Sequence, residues 1–188
     1  MNYKKYINEY FDEVAEIIKK IDRTSIEQSL KTLSNLKKTG GRLFILGIGG
    51  SAANASHAVN DFRKICQIET YAPTDNVAEL TAWTNDVSFE VVFQKWLECS
   101  KLNKKDTLLI LSVSGGSKTA SQNLVLAMKY AKKIGAKILG VVSRDGGETR
   151  KLANICILIP PIADKRITAH AEEWQGIILH LMANALMP

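Results

Sequence analysis

Two pairs of imidazole and carboxylate side chains have a spacing that can support proton transfer or metal binding. His57 and Asp61 are four residues apart, which places them about 40° apart on one helix face. His180 follows Glu172 by eight residues, about 80° around a helix axis, and Glu173 by seven, about 20°. Two helices that each offer an imidazole and a carboxylate predict a four-ligand site for zinc or a similar divalent ion.

Each of these residues also has a purely structural interpretation. His57 can be a helix cap or a hydrogen-bonded core residue, and Asp61 and Glu172 can be solvated. His180 lies among apolar residues of the last predicted helix, where a polar group needs a partner. His170 falls at the start of that helix and is expected at the surface.

Two loops rich in glycine and serine follow apolar runs. The first is Gly47-Ile48-Gly49-Gly50-Ser51, and the second runs from Ser112 to Thr119. Glycines let backbone N–H groups approach an anion, and a helix that follows adds its unpaired N–H groups. Both loops are therefore candidate phosphate sites. The alternatives are plain strand-to-helix turns or, for the first loop alone, a weak dinucleotide fingerprint; the second loop does not fit a Walker motif.

Continuous apolar runs alternate with amphipathic segments along the chain. We predict strands over 43–46, 68–71, 108–111, 137–142 and 155–159. We predict helices over 3–20, from Thr24 or Ser25 to Gly40, and over 52–63, 77–83, 88–101, 118–133, 148–153 and 170–186. Apolar runs of this kind are typical of strands buried on both faces. The prediction is an α/β fold, a three-layer α-β-α sandwich with a central parallel sheet and two additional N-terminal helices.

The composition is that of a globular protein. The chain has 188 residues, 46% hydrophobic and 23% charged, with a formal net charge of +6. Three scattered cysteines argue against a disulfide framework and a thiolate zinc site. We expect a cytoplasmic protein without a secretory signal or a membrane span, and the dispersed lysines do not predict nucleic-acid binding.

Several motifs together resemble one family. They are Gly49-Gly50-Ser51-Ala52-Ala53-Asn54-Ala55-Ser56-His57, Asn85-Asp86-Val87-Ser88-Phe89, the serines from Ser112 to Ser117, and Asp145-Gly146-Gly147. This combination resembles the sugar isomerase (SIS) domain family, in its sedoheptulose-7-phosphate (phosphoheptose) isomerase branch. The resemblance runs from about residue 24 to the end of the chain.

The resemblance implies an aldose–ketose isomerase that acts on sedoheptulose 7-phosphate through an enediol, without a nucleotide cofactor. It implies Asp61 as the base, His180 as the acid, and zinc at His57, Asp61, Glu172 and His180. The residues that would contact the phosphosugar are Gly49, Gly50, Ser51, Asn85, Asp86, Ser112, Ser114, Ser117 and Glu172. It also implies a homotetramer with shared active sites, in which residues 1–40 form a helical oligomerisation segment and residues 41–188 a phosphosugar-binding core of one SIS domain.

The chain departs from the family pattern at two of these positions and at Ile48 in the first loop. Asp61 stands where glutamate is usual, Glu172 where many members have glutamine, and Ile48 where asparagine is common. A second carboxylate would attract a metal ion more strongly. Arg63 or Lys64 is expected to replace an arginine that is out of register.

Other functions compete with the isomerase. A non-catalytic SIS protein would bind a phosphosugar or a replication initiator, but that branch typically lacks the C-terminal histidine. A phosphosugar-sensing regulator would carry a DNA-binding module, which the first 40 residues do not predict. A nicotinamide-dinucleotide-binding protein is the remaining alternative.

Overall fold

A five-stranded parallel sheet with helices on both faces forms the centre of the molecule in the computed structural model, which describes residues 2–188. The strands are β1 (Leu43–Leu46), β2 (Thr70–Tyr71), β3 (Thr107–Ser112), β4 (Lys137–Val142) and β5 (Ile155–Leu158), in the order β2-β1-β3-β4-β5. The helices are α1 (Tyr3–Lys20), α2 (Arg23–Thr39), α3 (Gly50–Lys64), α4 (Val77–Asp86), α5 (Val92–Cys99), α6 (Gln122–Ile134), α7 (Gly147–Leu152) and α8 (Ile167–Ala185). The predicted α-β-α sandwich is confirmed.

The central strands are buried on both faces because their side chains are apolar on both faces. Every residue of β1 and β3 is buried, and the two strands pair in parallel from Leu43 opposite Thr107 to Leu46 opposite Ile110. Ile45 and Leu109 contribute to one apolar cluster, and Phe44 and Leu108 contribute to the other. The two layers of helices cover these two clusters.

Four predicted helix starts need correction, among them that of α5, which begins at Val92 instead of residue 88. Helix α2 is capped by Asp22, whose carboxylate accepts the N–H groups of Thr24 and Ser25, so neither of those residues is the cap. Helix α6 begins at Gln122 instead of residue 118, because the Ser117 hydroxyl accepts backbone N–H groups in a turn. Helix α8 begins at Ile167, three residues before the predicted start.

Helix α1 packs against α8 through polar groups. Glu13 pairs with Arg166 and with Nε2 of His170, the latter at 2.8 Å. Tyr10 donates to Glu173, and its ring lies 4.7 Å from the His170 ring. His170 is therefore only 2% exposed, which contradicts its predicted place at the surface.

Among residues 2–188, none of the helices combines the length and the apolar character that a bilayer span requires.

Candidate active site

The first glycine-serine loop joins β1 to α3 at the carboxyl-terminal edge of the sheet. Gly49 has a φ of 63°, a value that favours glycine, and precedes the first turn of α3. Ser51 lies within that turn and is buried. The geometry directs the unpaired N–H groups of the helix start toward the sheet edge, where an anion can bind.

The second loop follows β3 and packs against the Asp145-Gly146-Gly147 turn. The carbonyl of Gly115 accepts the N–H of Thr149 and also its hydroxyl, at 2.9 and 2.8 Å. A Cβ on Gly115 would collide with the carbonyl oxygen of Gly146. This contact explains why glycines occur in both segments, and it fixes the serine loop at the end of β3.

The serines of this loop stabilise its backbone and also line the neighbouring cavity. The Ser112 hydroxyl oxygen accepts the N–H of Gly115 at 3.0 Å, so its own proton remains available to donate. Ser114 and Ser117 line a cavity of about 580 Å³. The predicted phosphate-binding serines Ser112, Ser114 and Ser117 therefore lie in or beside one open cavity.

Arg144 and Thr168 line the same cavity and were not identified from the sequence. Arg144 is exposed and has a φ of 54°, a conformation that is uncommon outside glycine. Its guanidinium is well suited to bind phosphate. The only sequence signal was its place directly before the Asp145-Gly146-Gly147 turn. Thr168 belongs to the first turn of α8, whose N–H groups also face this edge of the sheet.

His57, Asp61 and His180 form a compact cluster between α3 and α8. Nε2 of His57 lies 3.1 Å from Nε2 of His180, and Oδ2 of Asp61 lies 3.3 and 3.6 Å from these two nitrogens. Neighbouring ligands of a tetrahedral zinc ion, with bonds of about 2.0–2.1 Å, are roughly 3.3–3.4 Å apart. The three atoms therefore match three ligand positions of such an ion.

The cluster lies at the surface of the single chain. The side chains of His57 and His180 are 61% and 57% exposed, whereas that of Asp61 is 12% exposed. Ile177 and Leu181 beside His180 on α8 are also exposed. A ligand can therefore reach the imidazoles directly, and an apolar rim borders the cluster on one side.

Glu172, the predicted fourth metal ligand, lies apart from this cluster. Its carboxylate rests on Gly50, where an added Cβ would collide with all three carboxylate atoms. The eight residues that separate it from His180 span about 12 Å along α8. Asn54 donates to the Glu172 carbonyl at 2.8 Å and to Oε1 of Gln175 at 3.1 Å, which ties α3 to α8 here. The structure thus places Glu172 at the first loop.

Within residues 2–188, no hydrogen bond joins the remaining predicted residues to the two glycine-serine loops. Asn85 and Asp86 end α4, are exposed, and bond to each other at 2.9 Å. Arg63 donates to the carbonyl of Thr70 and lies over the Tyr71 ring, so it supports β2. The roles predicted for Asn85 and Asp86 remain predictions.

Residues 9–143 match the family model described as the SIS domain. The chain belongs to the SIS domain family. A phosphoheptose isomerase from Syntrophotalea carbinolica is 28% identical over 190 residues, covering 96% of this chain and 91% of that protein. Another, from Akkermansia muciniphila, is 32% identical over 162 residues, covering 84% and 81%.

A solved structure shares the SIS fold of this chain over nearly its full length. Phosphoheptose isomerase GmhA from Neisseria gonorrhoeae superposes with a TM-score of 0.85 at 23% identity, covering 98% of this chain and 96% of that one. The similarity extends beyond residues 9–143 into α8, the helix that carries Glu172 and His180.

Proposed function

We propose that this SIS-domain chain is a phosphoheptose isomerase that converts sedoheptulose 7-phosphate to D-glycero-D-manno-heptose 7-phosphate for heptose and glycan biosynthesis. The observation that carries the proposal is the cluster of His57, Asp61 and His180, at the surface of a phosphosugar-binding fold. The curated relatives named phosphoheptose isomerase cover nearly the whole chain and support the same reaction.

The serine loop would hold the phosphate. Ser114, Ser117 and Arg144 line its cavity, and the starts of α3 and α8 add backbone N–H groups at the same edge of the sheet. The phosphate and the reacting carbons lie at opposite ends of a heptulose 7-phosphate. The substrate would therefore extend from this loop past Gly50 and Glu172 toward the cluster.

The reaction moves one hydrogen between adjacent carbons and requires a base and an acid. The Asp61 carboxylate would take a proton from C1 while His180 gives one to the carbonyl oxygen at C2, which forms the enediol. The proton on Asp61 then goes to C2, and His180 recovers its proton from the C1 hydroxyl. The product is the aldose, and no external oxidant or reductant is needed.

The same cluster would hold a divalent ion, for which zinc is our proposal. Such an ion, when bound, stabilises negative charge on substrate oxygens. Nε2 of His180 cannot both bind a metal and carry a proton, so the proton transfer described above applies to the site without the ion, and His180 would be a ligand when the ion is bound. Asp61 keeps a second oxygen, Oδ1, which accepts a hydrogen bond from Asn60 at 3.1 Å.

We further propose a cytoplasmic homotetramer in which the active sites are completed at subunit contacts. Residues 1–40 would be the oligomerisation segment and residues 41–188 the phosphosugar-binding core of a single domain. Two observations support this. Helix α1 leaves Tyr3, Ile7, Phe11 and Ile18 exposed, and the candidate metal cluster is itself open at the surface with apolar neighbours.

The test is to incubate the purified protein with sedoheptulose 7-phosphate and follow aldose formation by NMR, with chelator and with added zinc. We expect turnover by the wild type, and its loss in Asp61→Asn and in His180→Gln while their circular dichroism spectra stay unchanged. Absence of turnover under every metal condition would overturn the proposal. Phosphosugar binding without turnover would match the non-catalytic alternative, and near wild-type activity of either variant would remove that residue from its catalytic role.

A further inference from the structure

We propose that the amino-terminal edge of the sheet carries a second binding site, for a small polyanion with two or more phosphate groups. A cavity of about 780 Å³ opens there between α2, the loop before β3 and the start of β4. Its lining includes four lysines, Lys31, Lys104, Lys105 and Lys137. The strands are parallel, so this edge is opposite to the glycine-serine loops.

The backbone fixes three of these lysines close together. Thr107, which follows Lys105 by two residues, pairs with Lys137 in the neighbouring strand, and the N–H of Lys137 donates to the carbonyl of Asp106. The Cβ of Lys104 lies 3.8 Å from the position of a Cβ on Gly135, just before β4. The stem of Lys137 therefore starts from the first residue of β4. Lys104 and Lys105 start from the turn directly before β3, in which the N–H of Asp106 donates to the carbonyl of Asn103 at 3.0 Å.

The positive charge of the cavity is mostly uncompensated. No carboxylate lines it in the part of the chain that the structure describes, and only Lys31 forms an ion pair, with Glu27 at 2.6 Å. Asp106 is buried, and its charge is neutralised by Arg42 at 2.8 Å. The ends of α2 and α6 add roughly half a negative charge each. The positive charge of the three lysines without an ion pair exceeds that contribution, so the cavity favours an anion.

The lining also restricts the kind of anion. Leu36 forms an apolar part of the wall. Among residues 2–188, no aromatic side chain on which a nucleobase could stack lines the cavity. Its volume is in the range of small-molecule sites. A smaller cavity shares Lys137 and adds Lys132 and Lys151. Lys151 pairs with Glu148 at 2.7 Å, so Lys132 is the residue that extends the positive charge along the edge. A chain of two or three phosphates can contact several of these ammonium groups at once.

Calorimetric titration of the full chain with inorganic tripolyphosphate, pyrophosphate and monophosphate tests this site. We expect one tripolyphosphate per chain, bound at least tenfold more tightly than monophosphate and more weakly as salt is added. The double variant Lys105→Gln/Lys137→Gln should weaken tripolyphosphate binding about tenfold or more, because it removes two ammonium groups from the cavity. Unchanged thermal unfolding would show that the variant is folded, and Lys104→Gln is the substitute if it is not.

Two control variants make the result decisive. Lys19→Gln/Lys20→Gln removes the same charge from α1, and Arg144→Gln removes a cation from the serine-loop cavity. Neither should weaken tripolyphosphate binding more than about twofold. If both lysine double variants lose the same tripolyphosphate affinity, the ion is attracted by the general positive charge of the chain. If Arg144→Gln loses that affinity, the ion binds at the serine loop. Either result, or no binding at about 1 mM, overturns the proposal. These binding results do not depend on isomerase activity.

Discussion

At the scale of single residues, the position of the Glu172 carboxylate most affects the chemistry of the candidate site. Its carboxylate occupies the space that a side chain on Gly50 would need, so the pair Gly50-Glu172 acts as one structural unit. This places a negative charge at the start of α3, where the helix dipole is favourable to it. It also keeps that carboxylate about two helical turns away from His180 along α8. Glu172 is therefore better placed to contact the proposed substrate than to complete the candidate metal cluster.

Gly50→Ala tests this unit. The new methyl group would displace the flexible end of Glu172 and leave the backbone in place, so stability should change by less than about 1 kcal/mol. We expect kcat/KM for the isomerisation to fall about tenfold or more, with an unchanged Tm.

A matched variant, Gly176→Ala, makes the same replacement on α8, where an added Cβ meets no atom within 4 Å. It should leave kcat/KM unchanged and raise Tm slightly, because alanine is favoured over glycine in a helix interior by up to about 1 kcal/mol. A Gly50→Ala enzyme with wild-type kcat/KM would show that the position of Glu172 does not matter for the reaction.

At the scale of elements, the contact between α1 and α8 is an ion-pair network around a buried histidine. Glu13 accepts from Arg166 and faces Nε2 of His170, and these bonds lower the pKa of Glu13 to about 2. The pKa of Tyr10 is raised to about 12 by burial and by its bond to Glu173. In the folded protein Glu13 is thus held as a carboxylate.

Glu13→Gln should loosen this contact. Replacing a carboxylate that accepts from the Arg166 guanidinium and faces a ring nitrogen of His170 costs about 2 kcal/mol, or roughly 5 °C in Tm for a chain of this size. The folded pKa is below the unfolded value, so the stabilisation by Glu13 is full above about pH 4.5 and declines as the pH falls toward 2. The difference in Tm between wild type and variant should therefore be constant above about pH 5 and narrow below about pH 4.

Glu9→Gln is the matched control, because Glu9 pairs only with the exposed Lys5 on the same helix. Its Tm should differ little from the wild type at any pH. A pH-independent difference in Tm for Glu13→Gln would contradict the assignment of the network.

The elements that the sequence predicted well are those whose signal is local. The strands 43–46 and 137–142 were predicted to the residue, because the first is a continuous apolar run and the second is an apolar run after Lys137, and both are bounded by turn residues. The predicted start of α6 was wrong because the Ser117 hydroxyl accepts the N–H groups of Thr119 and Ala120, which therefore form a turn instead of the first helical turn. The prediction that His170 lies at the surface was wrong because its partner Glu13 is 157 residues away in the sequence, where no local pattern reveals it.

In the candidate site, too, local contacts could be predicted from the sequence and contacts set by tertiary packing could not. Helical spacing correctly brought His57 next to Asp61, since four residues make about one turn. The juxtaposition of α3 and α8 brought His180 to them, as the family resemblance implied. Spacing also predicted that Glu172 joins this cluster. That prediction was wrong because tertiary packing directs the Glu172 side chain to Gly50, which spacing along one helix does not reveal.

For the whole molecule, an apolar stripe on α1 remains uncovered. Tyr3, Ile7, Phe11 and Ile18 recur at helical spacing and are between 48% and 70% exposed, whereas Ile17 is fully buried. Exposed apolar surface of this kind typically marks an interface between subunits. The polar network at Glu13 fixes the orientation of α1, so the stripe faces away from its own chain.

The double variant Ile7→Glu/Phe11→Glu should therefore dissociate the proposed tetramer. Two charges in an apolar interface cost several kcal/mol per subunit, because each must be desolvated without a partner. Size-exclusion chromatography with light scattering should show smaller species than the wild type, and circular dichroism should show an intact fold. If the active sites are shared, isomerase activity should fall with dissociation, and it should recover partly at high protein concentration.

Lys5→Glu introduces the same side chain on the polar side of α1, about 160° from Ile7 and 120° from Phe11 around the helix. It should keep the wild-type mass and activity. Dissociation of both variants would indicate an effect of charge on α1 as a whole, and a dissociated Ile7→Glu/Phe11→Glu protein with full activity would show that each chain holds a complete active site. A wild-type protein that is monomeric at all concentrations would refute the interface, because no second copy would then cover the apolar stripe.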